Sequence, residues 1–67
     1  MGLYRIEAVP TSEQVPEYLE CANSAAKHPV TNGWKGSTLI LDFQTSDDLL
    51  SFMGAAASRE LKIRVST

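Results

Sequence analysis

The chain has 67 residues, of which 43% are hydrophobic and 21% are charged, and its formal net charge is −2. A chain of this length supports one small core, so we expect a single domain over residues 1–67 without a deep catalytic cavity. The mild acidity argues against a domain that grips a phosphate backbone, because such domains carry a basic face.

Localisation follows from the cysteine content and from the apolar runs. Cys21 is the single cysteine, which excludes an internal disulfide and favours a reducing compartment. The longest apolar runs are three residues, and no charged segment is followed by a long apolar one, so we expect neither a membrane span nor a signal peptide. The sequence therefore predicts a cytoplasmic protein.

The first predicted strand covers Leu3 to Val9, where apolar and polar residues alternate until Pro10 ends the pattern. Three apolar side chains of this strand are expected to face the core: Tyr4, Ile6 and Ala8.

The first predicted helix starts at Pro16, because proline fits the first helical position, and ends before Pro29. Helical periodicity gathers six side chains into one apolar stripe, with Cys21 at its edge: Val15, Tyr18, Leu19, Ala22, Ala25 and Ala26.

Two turn signals, Asn32-Gly33 and Lys35-Gly36, make the next stretch ambiguous. Our interpretation is a short strand around Val30–Trp34 that turns at Lys35-Gly36 into the following strand. A plain loop is the alternative.

The second half of the chain repeats the strand–helix–strand pattern. A strand is predicted over Thr38–Phe43, and Thr45 to Asp48 is typical of a helix start because hydroxyls and carboxylates suit the helix N-terminus. The buried face of this helix is predicted to hold Leu49, Leu50, Met53, Ala56 and Ala57, with Phe52 at its edge. A last strand is predicted over Glu60–Ser66, with its inward side chains at Leu61, Ile63 and Val65.

This order of elements predicts an α+β fold, a two-layer sandwich of the pattern β-α-(β)-β-α-β. With the short strand the fold is ferredoxin-like, and without it a reduced version with three strands remains. Because each clear strand has one apolar face, we expect both helices on one side of the sheet.

Residues for catalysis or metal binding are sparse. Cys21 and His28 are the one nucleophile–base pair, and seven helical residues separate them by about 10 Å. Asp42, Asp47 and Asp48 could together meet a cation, but carboxylates at a helix start usually act as caps. No metal-ligand spacing or phosphate loop occurs. We therefore predict no catalytic residue, no metal, no cofactor and no enzymatic activity.

The open face of the sheet is predicted to carry charged side chains that pair across strands, with Ile40 among them. Because this face offers no aromatic ring at its centre, we expect no nucleic-acid partner. Trp34 lies between two glycine turns, where it either folds over one end of the core or anchors another protein. The predicted partner-binding residues are Trp34, Lys35, Ile40, Arg5, Lys62 and Arg64.

The leading hypothesis is a non-enzymatic protein-binding module that occupies a surface of a larger partner protein. By analogy with small domains encoded by phages and mobile elements, it would act as an inhibitor or regulator. The alternative is a self-associating regulatory or small-ligand-binding domain of ferredoxin-like fold, which would form a homodimer through the open sheet face.

Overall fold

The computed structural model describes residues 4–66, without the side chain of Ser66. The described elements, in chain order, are β1 Tyr4–Ala8, α1 Val15–Ala25, β2 Thr31–Lys35, β3 Thr38–Phe43, α2 Ser46–Ser58 and β4 Arg64–Ser66. The strands form an antiparallel sheet in the order β2-β3-β1-β4, on which both helices pack. The predicted α+β two-layer sandwich is confirmed, with the ferredoxin-like strand order. The predicted first strand also included Leu3, which lies outside the described residues.

The ambiguous stretch after α1 forms a strand, β2, which pairs with β3 along its whole length. Lys35 lies opposite Thr38, so the loop between the strands is Gly36-Ser37. Gly36 has a φ of 63°, which suits glycine at the first position of a two-residue hairpin loop. The predicted turn is therefore present, one residue later than Lys35-Gly36.

The core lies between the sheet and the helices. Ile6, Leu39, Leu41 and Phe43 alternate with polar residues along β1 and β3, and each is at most 1% exposed. Phe43 also packs on α2 through Phe52, with ring centroids 5.1 Å apart. These residues confirm the predicted alternation.

Two side chains predicted to be buried are exposed at the margins of this inward face. Tyr4 lies opposite Phe43 and Val65 lies opposite Ile6, so both share the inward phase of the sheet. Their exposed fractions are nevertheless 42% and 38%. Tyr4 is the first described residue of β1 and Val65 lies on an edge strand, at the margins of the core.

Helix α1 ends at Ala25, earlier than predicted. Ala26 is extended, and the backbone N–H groups of Lys27 and His28 donate to the Asp48 carboxylate instead of to helix carbonyls. Cys21, predicted at the edge of the stripe, is fully buried in the core. An acceptor on α2 therefore terminates α1, which the sequence around Pro29 does not reveal.

Helix α2 begins as predicted, because the Thr45 hydroxyl accepts a hydrogen bond from the Asp48 backbone N–H at 3.1 Å. Its buried face differs from the prediction: Phe52 lies at the centre and is fully buried, whereas Leu50 is 61% exposed. Ala57 is exposed as well. Apolar residues surround most of α2, so periodicity alone does not identify the inward side.

The predicted strand Glu60–Ser66 is wrong over its first residues, because the chain there caps α2. The backbone N–H groups of Glu60 and Leu61 donate to Ala57 and Ala56, and Glu60 has a φ of 59°. This is a Schellman motif, in which the residue after the cap adopts the left-handed conformation. The motif turns Leu61 into the core, where it is 6% exposed, and pairing in β4 starts only at Arg64.

Candidate interaction surface

The sheet side opposite the helices carries most of the predicted partner-binding residues. Strand register places nine of its residues in the phase opposite to the core, and Lys62 borders a groove shared with three of them. We call this set the outer sheet face: Arg5, Glu7, Thr31, Gly33, Lys35, Thr38, Ile40, Asp42, Lys62 and Arg64.

Two ion pairs cross the strands of the outer sheet face. The Arg5 Nε donates to Asp42 Oδ1 at 2.9 Å, and Asp42 raises the pKa of this guanidinium. The Arg64 Nη2 donates to Glu7 Oε1 at 2.9 Å. The predicted cross-strand charge pairs are thus confirmed. Both carboxylates of this face are neutralised by arginines.

Lys35 and Lys62 are the basic residues of the outer sheet face that have no such partner in the described part of the chain. Within residues 4–66, neither side-chain ammonium makes a hydrogen bond or an ion pair. Lys35 lies directly opposite Thr38, and Thr38 lines the same groove as Lys62. Two lysines without an ion-pair partner among the described residues therefore lie at one end of the outer sheet face, Lys35 on the strand next to Thr38 and Lys62 in the groove that Thr38 also lines.

Ile40 is the apolar centre of the outer sheet face. It is half-buried and lies between Gly33 on β2 and Glu7 on β1. A Cβ atom added at Gly33 would meet nothing within 4 Å, so the sheet surface beside Ile40 is open space. A side chain from another molecule would have room over Gly33 against the side of Ile40.

An open groove of about 360 Å³ adjoins this end of the face. It is found where the β1–β4 ladder stops, since the last paired residues are Glu7 and Arg64. The lining residues are Glu7, Ala8, Val9, Thr38, Lys62, Ile63 and Arg64. The groove thus combines aliphatic walls with basic side chains.

Trp34 belongs to the other side of the sheet. It lies opposite Leu39, so its side chain shares the inward phase, but at 52% exposed it stays largely open to solvent at the edge of β2. The structure therefore places Trp34 apart from the other five predicted residues, Arg5, Lys35, Ile40, Lys62 and Arg64. Counting two residues along β2 from Asn32, which lies opposite Leu41, gives the same phase.

Side-chain charge differs between the outer sheet face and the rest of the chain. The outer sheet face holds four basic residues and two acidic ones, the latter being Glu7 and Asp42. The rest of the chain holds two basic residues, Lys27 and Arg59, and six acidic ones. An acidic chain therefore has one net basic surface, which its overall charge conceals.

The Cys21–His28 pair does not come together as a nucleophile and a base. Cys21 is fully buried, and burial raises the pKa of its thiol. The His28 Nδ1 lies 2.9 Å from Asp48 Oδ2 instead. The raised thiol pKa keeps Cys21 protonated, so its environment is that of a packing residue.

Asp48 is a buried junction, whereas sequence reasoning considered it for a cation site and assigned it to the helix cap. Its carboxylate accepts the backbone N–H groups of Lys27 and His28, each at 3.1 Å, as well as the imidazole contact. These hydrogen bonds, that from Lys27 above all, lower the pKa of Asp48. Its oxygens thus hold the α1–β2 connection. Over residues 4–66, no group of three or more His, Cys, Asp or Glu side chains is arranged to hold a metal ion.

Neither described helix has the length and apolar content needed to cross a membrane. Comparison of the chain with protein-family models, with curated proteins and with solved structures gives no match.

Proposed function

We propose that this protein is a non-enzymatic binding module that docks on a larger protein through its outer sheet face. The observation that carries the proposal is the pair of uncompensated lysines, Lys35 and Lys62, on a sheet side that the helices leave uncovered. The module would inhibit or regulate its partner by covering part of the partner's surface.

The apolar centre supports docking by a protein. Ile40 with the open space over Gly33 offers a shallow seat for one apolar side chain, and charged residues surround it. An apolar centre within a polar rim is the usual anatomy of protein interfaces. Because the excess charge of this face is positive, the complementary partner surface is acidic.

Nucleic acid fits this face less well than protein does. Single-stranded RNA is bound on open sheets by aromatic side chains that stack on the bases. The register gives Tyr4, Trp34 and Phe43 the inward phase, so none of the described outer-face residues is aromatic. The net charge of −2 also opposes approach to a phosphate backbone.

A homodimer through the same face is disfavoured by charge. Two-fold pairing would set one net basic surface against its copy, while both carboxylates of each face are already bound by arginines. Like charges brought together at an interface oppose association. An acidic partner of different sequence therefore satisfies the outer sheet face better than a second copy.

The proposal is tested by capture of partners on immobilised variants. We expect Ile40→Thr, which keeps β-branching but removes apolar surface, and the charge variant Lys35→Gln/Lys62→Gln to lose a protein that the unmodified chain retains. The control is Leu50→Gln, which removes a solvent-exposed aliphatic side chain from α2, outside the outer sheet face.

Identification of the retained protein by mass spectrometry, followed by titration, should show a loss of affinity of about tenfold for Ile40→Thr. Loss of the same protein with Leu50→Gln but not with Ile40→Thr would contradict the proposal. A concentration-dependent dimer that Ile40→Thr abolishes, as measured by sedimentation, would replace it with self-association.

A further inference from the structure

Resting on the proposed docking face, we propose that its groove receives an acidic residue of the partner together with a neighbouring aliphatic side chain. The groove measures about 360 Å³, which is within the range of small ligand sites. It thereby has room for two adjacent side chains of an extended segment.

The aliphatic part of the ligand is indicated by one wall of the groove. Ala8, Val9 and Ile63 line it, and the Val9 side chain is 72% exposed. Solvent-exposed aliphatic surface gains free energy when another apolar group covers it. A ligand that filled the groove with polar groups alone would leave this wall uncovered.

The carboxylate is indicated by the polar residues of the lining and by Lys35 beside them. Thr38 offers a hydroxyl donor, the Lys62 ammonium borders the groove, and Lys35 lies directly opposite Thr38 on β2. Glu7, the one acidic residue of the lining, is held by Arg64 at 2.9 Å. An anion near Thr38 would therefore lie in the groove that Lys62 lines and beside Lys35 on the neighbouring strand, while the one carboxylate of the described lining is already paired.

A protein carboxylate fits this combination better than a phosphate does. The free cations here are lysines, which act as point charges and bind phosphates as well as carboxylates, so the aliphatic wall decides between the two ligands. A phosphate would leave that wall empty. A glutamate or aspartate beside a leucine-like residue contacts the aliphatic wall and the basic side chains at once.

The test uses two blocked dipeptides as probes, N-acetyl-Glu-Leu-amide and its Gln counterpart, titrated into the isotope-labelled full chain. We expect the Glu peptide to shift the backbone NMR signals of residues 8, 9, 38 and 62–64, with a Kd of the order of 1 mM. The Gln peptide should bind about two- to fivefold more weakly, as should the Glu peptide to Lys62→Gln, because an exposed ion pair is lost. Lys27→Gln, outside the face, is the matched control.

The outcomes separate this inference from the docking proposal. Equal binding of the two peptides, or shifts away from the groove, would overturn the groove assignment even if Ile40→Thr still released a captured partner. Conversely, shifts at the groove that only the Glu peptide causes would support the groove assignment, whatever the capture experiment gives. Retention of the captured partner by Ile40→Thr would contradict only the proposed docking over Ile40. The groove assignment would also be overturned, in favour of a free anion, if inorganic phosphate or sodium hexanoate shifted the same signals at about tenfold lower concentration than the Glu peptide.

Discussion

The two faces of strand β3 differ in burial: one lies in the core and the other belongs to the outer sheet face. Leu39, Leu41 and Phe43 are at most 1% exposed and lie in the core. The residues that alternate with them, Thr38, Ile40 and Asp42, are partly exposed on the other face. Strand geometry alone produces this division, because successive side chains point to opposite sides. The comparison teaches that neighbouring substitutions on one strand should separate stability from binding.

Truncation of two neighbouring residues of β3, Leu41 and Ile40, is the strongest test of this difference between the two faces. Leu41→Ala should lower the free energy of unfolding by about 2–5 kcal/mol, because it leaves a cavity in a fully packed core. Ile40→Ala, one residue earlier and half-buried, should cost about 1 kcal/mol or less. Denaturant unfolding measures both. A cost below about 1 kcal/mol for Leu41→Ala would show that the strand register is wrong.

Asp48 tests whether a buried charge, on the side of the sheet that the helices cover, stabilises the fold. Because its hydrogen bonds lower its pKa in the folded state, the carboxylate stabilises the fold fully above its ordinary pKa, and this contribution is lost as pH falls through the folded-state pKa. Asp48→Asn should therefore lower Tm at neutral pH and flatten its decline below about pH 4. Thermal melts across pH measure this, with the exposed Asp47→Asn as control. Equal melting profiles for the two variants would contradict the role of Asp48.

Glu60 tests the cap of α2 that turns Leu61 into the core. Its φ of 59° is a left-handed conformation, which costs a residue with a Cβ about 1 kcal/mol relative to glycine. Glu60→Gly should raise the free energy of unfolding by about 1 kcal/mol. Glu60→Ala removes the same charge but keeps the Cβ, so it should give no gain. Equal stability of both variants would argue against the strained cap.

The ion pairs of the outer sheet face should contribute little to stability. A double-mutant cycle of Glu7→Gln and Arg64→Gln should give a coupling of about 0.2–1 kcal/mol, because the Arg64 side chain is 81% exposed. The coupling should fall in high salt, which screens exposed charges. A salt-independent coupling as large as the cost of Leu41→Ala would mean that this face also carries the fold.

Sequence patterns predict the two-layer sandwich because alternation and helical periodicity are properties of the strands and helices themselves. They predict the inward phase of β1 and β3 and the charge pairs across the strands. They fail on α2, where apolar residues on most sides hide the fact that Phe52 rather than Leu50 faces the sheet. That choice depends on tertiary packing, which no local pattern contains.

The candidate site likewise depends on tertiary structure that no local sequence pattern contains. The residue types of the outer sheet face follow from the sequence, but its grouping depends on strand pairing. Pairing puts Lys35 opposite Thr38, and the opposite phase of Trp34 separates it from Ile40. The Asp48 junction was missed because its partners, Lys27 and His28, lie 21 and 20 residues earlier in the chain.

The central claim is that the outer sheet face, which contributes little to stability, is the docking surface. Gly33→Thr tests it most directly, because the position is open and a β-branched residue suits a strand better than glycine does. Unfolding and partner capture should be measured on the same variant. We expect unchanged or higher stability together with loss of the captured partner, since the threonine fills the seat beside Ile40. Undiminished capture by a stably folded Gly33→Thr variant would contradict the claim.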